Sequence, residues 1–194
     1  MNDQYLTITS SIGEGFYSEK RSKFFAFAHH VETPEQIKEI LEQYRKKYFD
    51  ARHVCYAYML GPQRQQFRAN DDGEPSSTAG KPILGQINSN ELTDILIVVI
   101  RYYGGVNLGT SGLIVAYRAA AADAIAHAQI ETRLVEETVT YTYPYVMTSA
   151  VMRVVKELSP RILAQTYDNT CTITLSIRQS LAPQLRDRLA KLSF

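Results

Sequence analysis

Three carboxylates crowd one short turn, Asp71-Asp72-Gly73-Glu74-Pro75. Carboxylates this close either converge on a hard cation or accept hydrogen bonds from backbone amides and an arginine. Hard-ion sites need several converging oxygens at a recognisable spacing, and no calcium-loop pattern is present, so no metal is expected. The carboxylates are instead expected to brace the loop, with Arg52, Arg68 or Arg101 as partners. A second stretch, Gly104-Gly105-Val106-Asn107-Leu108-Gly109-Thr110-Ser111-Gly112, joins an apolar run to a helical pattern. A glycine turn at the start of a helix aims free amides and a positive dipole end at an anion, and the Thr110 and Ser111 hydroxyls can cap the helix or add donors. Its spacing is neither the dinucleotide fingerprint nor a phosphate loop ending in Lys-Ser/Thr.

The remaining candidates are plainer. His53 and Cys55 lie two apart on an expected strand, which puts them on one face, but no orienting group for a thiolate-imidazole pair can be assigned and a buried thiol beside a structural histidine is expected. His29-His30 sends one ring to each side of its strand, which suits neither a chelate nor a dyad. Lys20-Arg21-Ser22-Lys23, Arg45-Lys46-Lys47 and the Tyr102-Tyr103 pair supply cations and rings of the kind that hold phosphate and stack bases.

The elements that must position these residues follow from periodicity. Tyr5–Ile8 and Phe24–Ala28 read as half-buried strands, with an opening hairpin turning near Gly13–Gly15. Thr33-Pro34-Glu35-Gln36 starts a helix with a capping box, and Ile37, Ile40, Leu41, Tyr44 and Tyr48 form its apolar face. His53–Leu60 is a strand, and Ile95-Leu96-Ile97-Val98-Val99-Ile100 is β-branched enough to be the central strand, buried on both faces. Gln63 to Gln86 is polar and rich in turn residues, and reads as a long functional loop. An alanine-rich helix runs to about Ala128, and beyond about Glu131 the order is strand, helix, strand, strand, helix. The expectation is an α+β chain of two domains, 1–130 and 131–194. The second is ferredoxin-like with the order βαββα, short of that module's last strand.

Composition narrows the class. With 45% hydrophobic residues in 194 the chain can bury a core, and a formal charge of +1 advertises no global affinity for nucleic acid or membrane, so any basic site is local. The opening Met1-Asn2-Asp3-Gln4 has no basic-then-apolar run, and no apolar stretch approaches the roughly 20 residues needed to span a bilayer. Cys55 and Cys171 are expected to be reduced thiols in a cytoplasmic protein without cofactor.

Several stretches together resemble the IMPACT family, in particular its bacterial YigZ-type members. They are Lys23-Phe24-Phe25, Ala51-Arg52-His53-Val54-Cys55-Tyr56-Ala57, the acidic turn followed by Thr78-Ala79-Gly80-Lys81-Pro82-Ile83, and the compound signature Val98-Val99-Ile100-Arg101-Tyr102-Tyr103-Gly104-Gly105 with Leu108-Gly109, Gly112-Leu113 and Ala116-Tyr117. The resemblance implies a first domain like the second domain of a small-subunit ribosomal protein and domain four of the translocation elongation factor. It also implies kinship with eukaryotic translational regulators, and it brings no catalytic residues to carry over. The resulting expectation is a non-enzymatic regulator of translation or stress response. It binds RNA, the ribosome or a translation-related protein through Arg52, His53, Asp71, Asp72, Glu74, Thr78, Lys81, Arg101, Tyr102, Tyr103, Gly104, Gly105, Gly109, Thr110 and Ser111. Two rivals stand beside it: a phosphate- or nucleotide-binding enzyme of the small-molecule-kinase-like fold, and a protein-interaction adaptor.

Overall fold

The computed structural model describes residues 3–192, so Met1-Asn2 and the last two positions lie outside it. It divides into a larger unit, Tyr5–Arg133, and a smaller one running from Leu134 onward that includes Asp3 and Gln4.

The larger unit is built on an antiparallel five-stranded sheet in the order β2 (Gly13–Glu19), β3 (Ser22–His30), β6 (Ile95–Tyr102), β4 (His53–Leu60) and β5 (Gln66–Asn70). β6 is the central strand, and residues Ile95 to Arg101 are buried because both faces are covered. Helix α1 (Pro34–Lys47) packs Ile37, Leu41 and Tyr44 on one face, against Val54, Tyr56, Leu96, Val98 and Ile100. Helices α2 (Gly80–Ser89) and α3 (Gly109–Ala126) cover the other, against Cys55, Ala57, Ile95, Ile97 and Val99. The capping box of α1 is complete: Thr33 accepts from the Gln36 amide and the Gln36 side chain accepts from the Thr33 amide.

Two local expectations are corrected. The first hairpin is β2–β3 and turns at Lys20-Arg21, both in the left-handed region with φ of 48° and 65°, while Gly13 and Gly15 lie inside β2. β1 (Gln4–Ile8) does not join that hairpin; it pairs with β7 (Ile130–Leu134). The segment Gln63 to Gln86 is also less irregular than its composition suggests. It holds the edge strand β5 and the start of α2, where Pro82 sits in the first turn and needs no intrahelical partner for its missing amide. The irregular part shrinks to the acidic turn and its continuation to Ala79.

The smaller unit contains β8 (Glu136–Tyr143), α4 (Thr148–Leu158), β9 (Arg161–Tyr167), β10 (Cys171–Arg178) and α5 (Ala182–Ala190). The sheet order is β8-β10-β9, antiparallel throughout, which is the ferredoxin-like pairing of first with third and third with second strand. Val139, Tyr143, Ile173 and Leu175 form its core with Val151, Val154 and Leu185 from the helices, while Thr138, Thr140 and Thr142 take the exposed face of β8.

Candidate functional site

The acidic turn and the glycine bend, 30 residues apart in sequence, line one cleft of about 440 Å³ in the larger unit. Its walls are Arg52 and His53 at the start of β4, Gly73, Glu74 and Pro75 of the turn, Arg101 and Tyr103 at the end of β6, and Asn107 to Thr110 leading into α3. The volume falls within the range of small-ligand sites. Antiparallel pairing sets the juxtaposition, because His53 lies directly across from Arg101 and the two strands deliver their loops at one end of the sheet.

The three carboxylates are tied to the chain around them, Glu74 buried, Asp71 half-buried and Asp72 exposed. Asp71 accepts hydrogen bonds from the amides of Ser77, Ala79 and Gly80, which pulls the chain into the start of α2. Asp72 accepts from the Val54 amide at 2.7 Å, tying the turn to the start of β4, beyond its pairing with β5. Glu74, with a side chain only 2% exposed, accepts from Arg101 Nη1 at 2.5 Å and from the Tyr117 hydroxyl at 2.9 Å, and lies 3.4 Å from His53 Nε2. Of the three arginines considered as partners, Arg101 is the one that pairs. His53 Nδ1 lies 2.6 Å from the Asp72 carbonyl, so both ring nitrogens face oxygen acceptors. Thr78 is buried and donates to the Pro75 carbonyl. Of these residues His53, Glu74 and Arg101 line the cleft, and the others brace the turn that forms its wall.

Cys55 belongs to the same wall. Its Sγ lies 3.1 Å from the Asp71 carbonyl oxygen and 3.4 Å from the Tyr117 hydroxyl, its one proton serving the nearer carbonyl, and burial pushes both the thiol and the Tyr117 phenol far above their ordinary ranges. A thiol held protonated is no nucleophile. Cys171 is equally buried, in the core of the smaller unit. Neither cysteine is therefore expected to react with iodoacetamide in the native protein, whereas two carboxamidomethyl groups appear on mass spectrometry after unfolding; rapid native labelling of Cys55 would contradict this wall.

The exposed chemistry of the cleft is cationic and aromatic. The guanidinium groups of Arg52 and Arg101 lie over the same Tyr103 ring, at 5.4 and 5.6 Å from its centroid. Arg52 is exposed and makes no ion pair among the described residues. The start of α3 has no side-chain cap: Thr110 and Ser111 lie within the first turn and do not cap it, and Gly109 enters the helix with φ of +74°.

Other predicted residues lie elsewhere. Tyr102 points to the α1 face of the sheet, where its hydroxyl donates to Asp50 and its ring meets Phe25. Lys81 lines a separate groove with Ser77, Ile114 and Arg118, and Ser111 lines a third hollow with Tyr17 and Lys20. Gly104 is a packing residue, since a Cβ there would sit 2.2 Å from the Arg21 carbonyl carbon, whereas Gly105 is a turn residue with φ of +89° and open space around it. Asn107 and Tyr117 were missed as site residues. Tyr117 falls on the apolar stripe of α3, and only its hydroxyl marks it as a group that seeks a buried partner. Among the described residues no group of three or more His, Cys, Asp or Glu is arranged to hold a metal ion, and no helix is long and apolar enough to cross a membrane.

The cleft is assembled from the same stretches that carry the family resemblance, and the Impact N-terminal domain matches residues 20–125. The chain belongs to the IMPACT family. Family member YvyE of Bacillus subtilis is 35% identical over 133 residues, covering 69% of this chain and 61% of that protein. YigZ of Escherichia coli is 44% identical over 100 residues, covering 50% of this chain and 49% of its own. The aligned part thus spans less than two thirds of either IMPACT relative. A crystal structure of a hypothetical protein superposes on this IMPACT chain with a TM-score of 0.75 at 28% identity, covering 100% of this chain and 94% of the other. That extends the structural likeness through both units.

Proposed function

We infer that this IMPACT member is a non-enzymatic regulator of translation or stress response whose larger unit binds RNA through the cleft between the acidic turn and the glycine bend. One observation carries the reading: two guanidinium groups lie over the Tyr103 ring beside the uncapped start of α3. Amides at a helix start and guanidinium groups attract phosphate, and a partly exposed ring beside cations offers a stacking surface for a base. Family membership supports the link to translation. Binding is favoured over catalysis because the carboxylates clustered near the bend, among the described residues, are held in structural bonds: Asp71 by three backbone amides, Asp72 by the Val54 amide, and Glu74 by Arg101 and Tyr117. A phosphoryl-transfer enzyme needs such a group free to act as base or to hold a metal.

The test is a salt titration of binding to ribosomes and to short single-stranded RNA. Wild type is expected to bind at low salt, and Arg52→Ala to reduce the slope of log affinity against log salt by about 1. Absence of RNA and ribosome binding by wild type at low salt would overturn the reading and leave the adaptor role to be pursued.

A further inference from the structure

The donors around the cleft exceed the acceptors the protein supplies. Arg101 Nε is buried without a hydrogen-bond partner, and of this guanidinium only Nη1 is engaged, by Glu74. The side chain is just 7% exposed, and a buried donor without an acceptor is costly. Arg52 adds a second guanidinium over the same ring with no carboxylate of its own among the described residues. Glu74 balances one of these charges and is already shared with Tyr117. The third contribution is the start of α3, a helix of 18 residues whose opening turn lines the cleft with no side chain capping it. Its amides and dipole add further positive potential at the same point.

We propose that the cleft is a site for a phosphate monoester, the terminal group of a nucleotide or of a phosphorylated RNA end, rather than for the internal diesters of an RNA backbone. A monoester carries about 1.5 to 2 negative charges near neutral pH and three terminal oxygens. Those oxygens match donors from three sources: the α3 amides with Thr110, the Arg52 guanidinium, and the Arg101 guanidinium, which lines the cleft and is only partly engaged by Glu74. An internal diester offers one charge and two free oxygens, and affinity for it grows by spreading cations along a track. The nearest such spread is absent from this cleft, because Lys81 and Arg118 line a different groove. The inference rests on reading the cleft as an anion site, and goes further by naming the anion.

The full chain is titrated at low salt with inorganic phosphate, with AMP, and with one RNA decamer bearing either phosphate or hydroxyl groups at its ends. Amide resonances are followed by NMR. Inorganic phosphate is expected to shift Thr110, Ser111 and Gly112, and the phosphorylated decamer to bind about tenfold or more tightly than its hydroxyl twin, a difference of about 1.4 kcal/mol. Arg52→Ala, an exposed change that leaves the amide spectrum outside the cleft unaltered, is expected to weaken phosphate about tenfold or more, with Arg52→Lys restoring part of it. Equal binding of the two decamers would overturn the monoester assignment while leaving RNA binding intact. Phosphate or AMP binding with no affinity for either decamer would support the monoester site and remove RNA as its source. Phosphate shifts confined to residues outside the cleft, or none, would overturn the proposal, as would an acidic peptide displacing nothing but binding the same amides where phosphate does not.

Discussion

Glu74→Ala is expected to destabilise the larger unit by about 3–5 kcal/mol, the range seen when one partner of a buried ion pair is removed. The carboxylate serves Arg101, Tyr117 and His53 at once, and Arg101 is almost fully shielded from water. Truncation leaves a guanidinium with no counter-charge and a buried hydroxyl with no acceptor, so the loss is dominated by the groups left behind, not by the attraction removed. That interpretation separates from its rival in the double variant Glu74→Leu with Arg101→Met. Replacing both charges with apolar groups of similar size removes the orphan, and stability is expected to return to within about 1–2 kcal/mol of wild type. Hydrogen exchange of the β6 amides reads this unit by itself. A double variant as unstable as the single would mean that the pair holds the turn by attraction that apolar packing cannot replace. The recovered double variant is also expected to bind phosphate more weakly, since Arg101 lines the cleft. The ion pair would then be kept for the geometry of the site at little net gain in stability.

The same network shows what the sequence could and could not reveal. The central strand was legible because six consecutive β-branched and leucine residues suit only a position covered on both faces, and α1 was legible because Thr33, Pro34 and Gln36 stand at the spacing a capping box requires. The ferredoxin-like order of the smaller unit followed from alternating runs such as Thr138 to Tyr143, in which each second residue is apolar or aromatic. The first hairpin was misplaced because glycine signals a turn only where the chain needs its freedom of φ; Gly13 and Gly15 are needed for closeness, and Lys20-Arg21 carry the left-handed turn with no special chemistry. Helix α2 was hidden because Ala79-Gly80 reads as a turn within a polar segment, although Ile83 and Ile87 stand one turn apart on its buried side. At the cleft, residue types gave the charges but not their direction. That Asp71, Asp72 and Glu74 brace the loop follows from their crowding in one turn, but which amides they hold, and that Arg101 and not Arg52 or Arg68 is the arginine partner, is set by the fold.

The closeness required at Gly15 leads to the second large effect. A Cβ on Gly15 would lie 2.3 Å from the Ala124 amide nitrogen and 2.6 Å from the Ala120 carbonyl oxygen. Both obstacles are backbone of α3, so no rotamer change relieves them, and the Phe16 amide beside it is already tied to Asp123 at 2.8 Å. Gly15→Ala must therefore push α3 off β2, at a cost of about 3 kcal/mol, the upper part of the range for overpacking. The displacement reaches further than the strand. Tyr117 rides on α3 and hydrogen-bonds Glu74, and the first turn of α3 lines the cleft, so Gly15→Ala is expected to weaken phosphate binding although Gly15 is not among the residues lining it. Gly85→Ala is the matching control. Gly85 lies on the exposed side of α2 with nothing within 4 Å of an added Cβ, and replacing a helix-interior glycine there is expected to raise stability by about 0.5–1 kcal/mol. Urea midpoints moving in opposite directions for the two alanines would show that backbone contact with α3, and not the loss of glycine itself, is what Gly15 provides; a Gly15→Ala protein as stable as wild type, with its phosphate response intact, would mean that α3 does not rest on β2 at this distance.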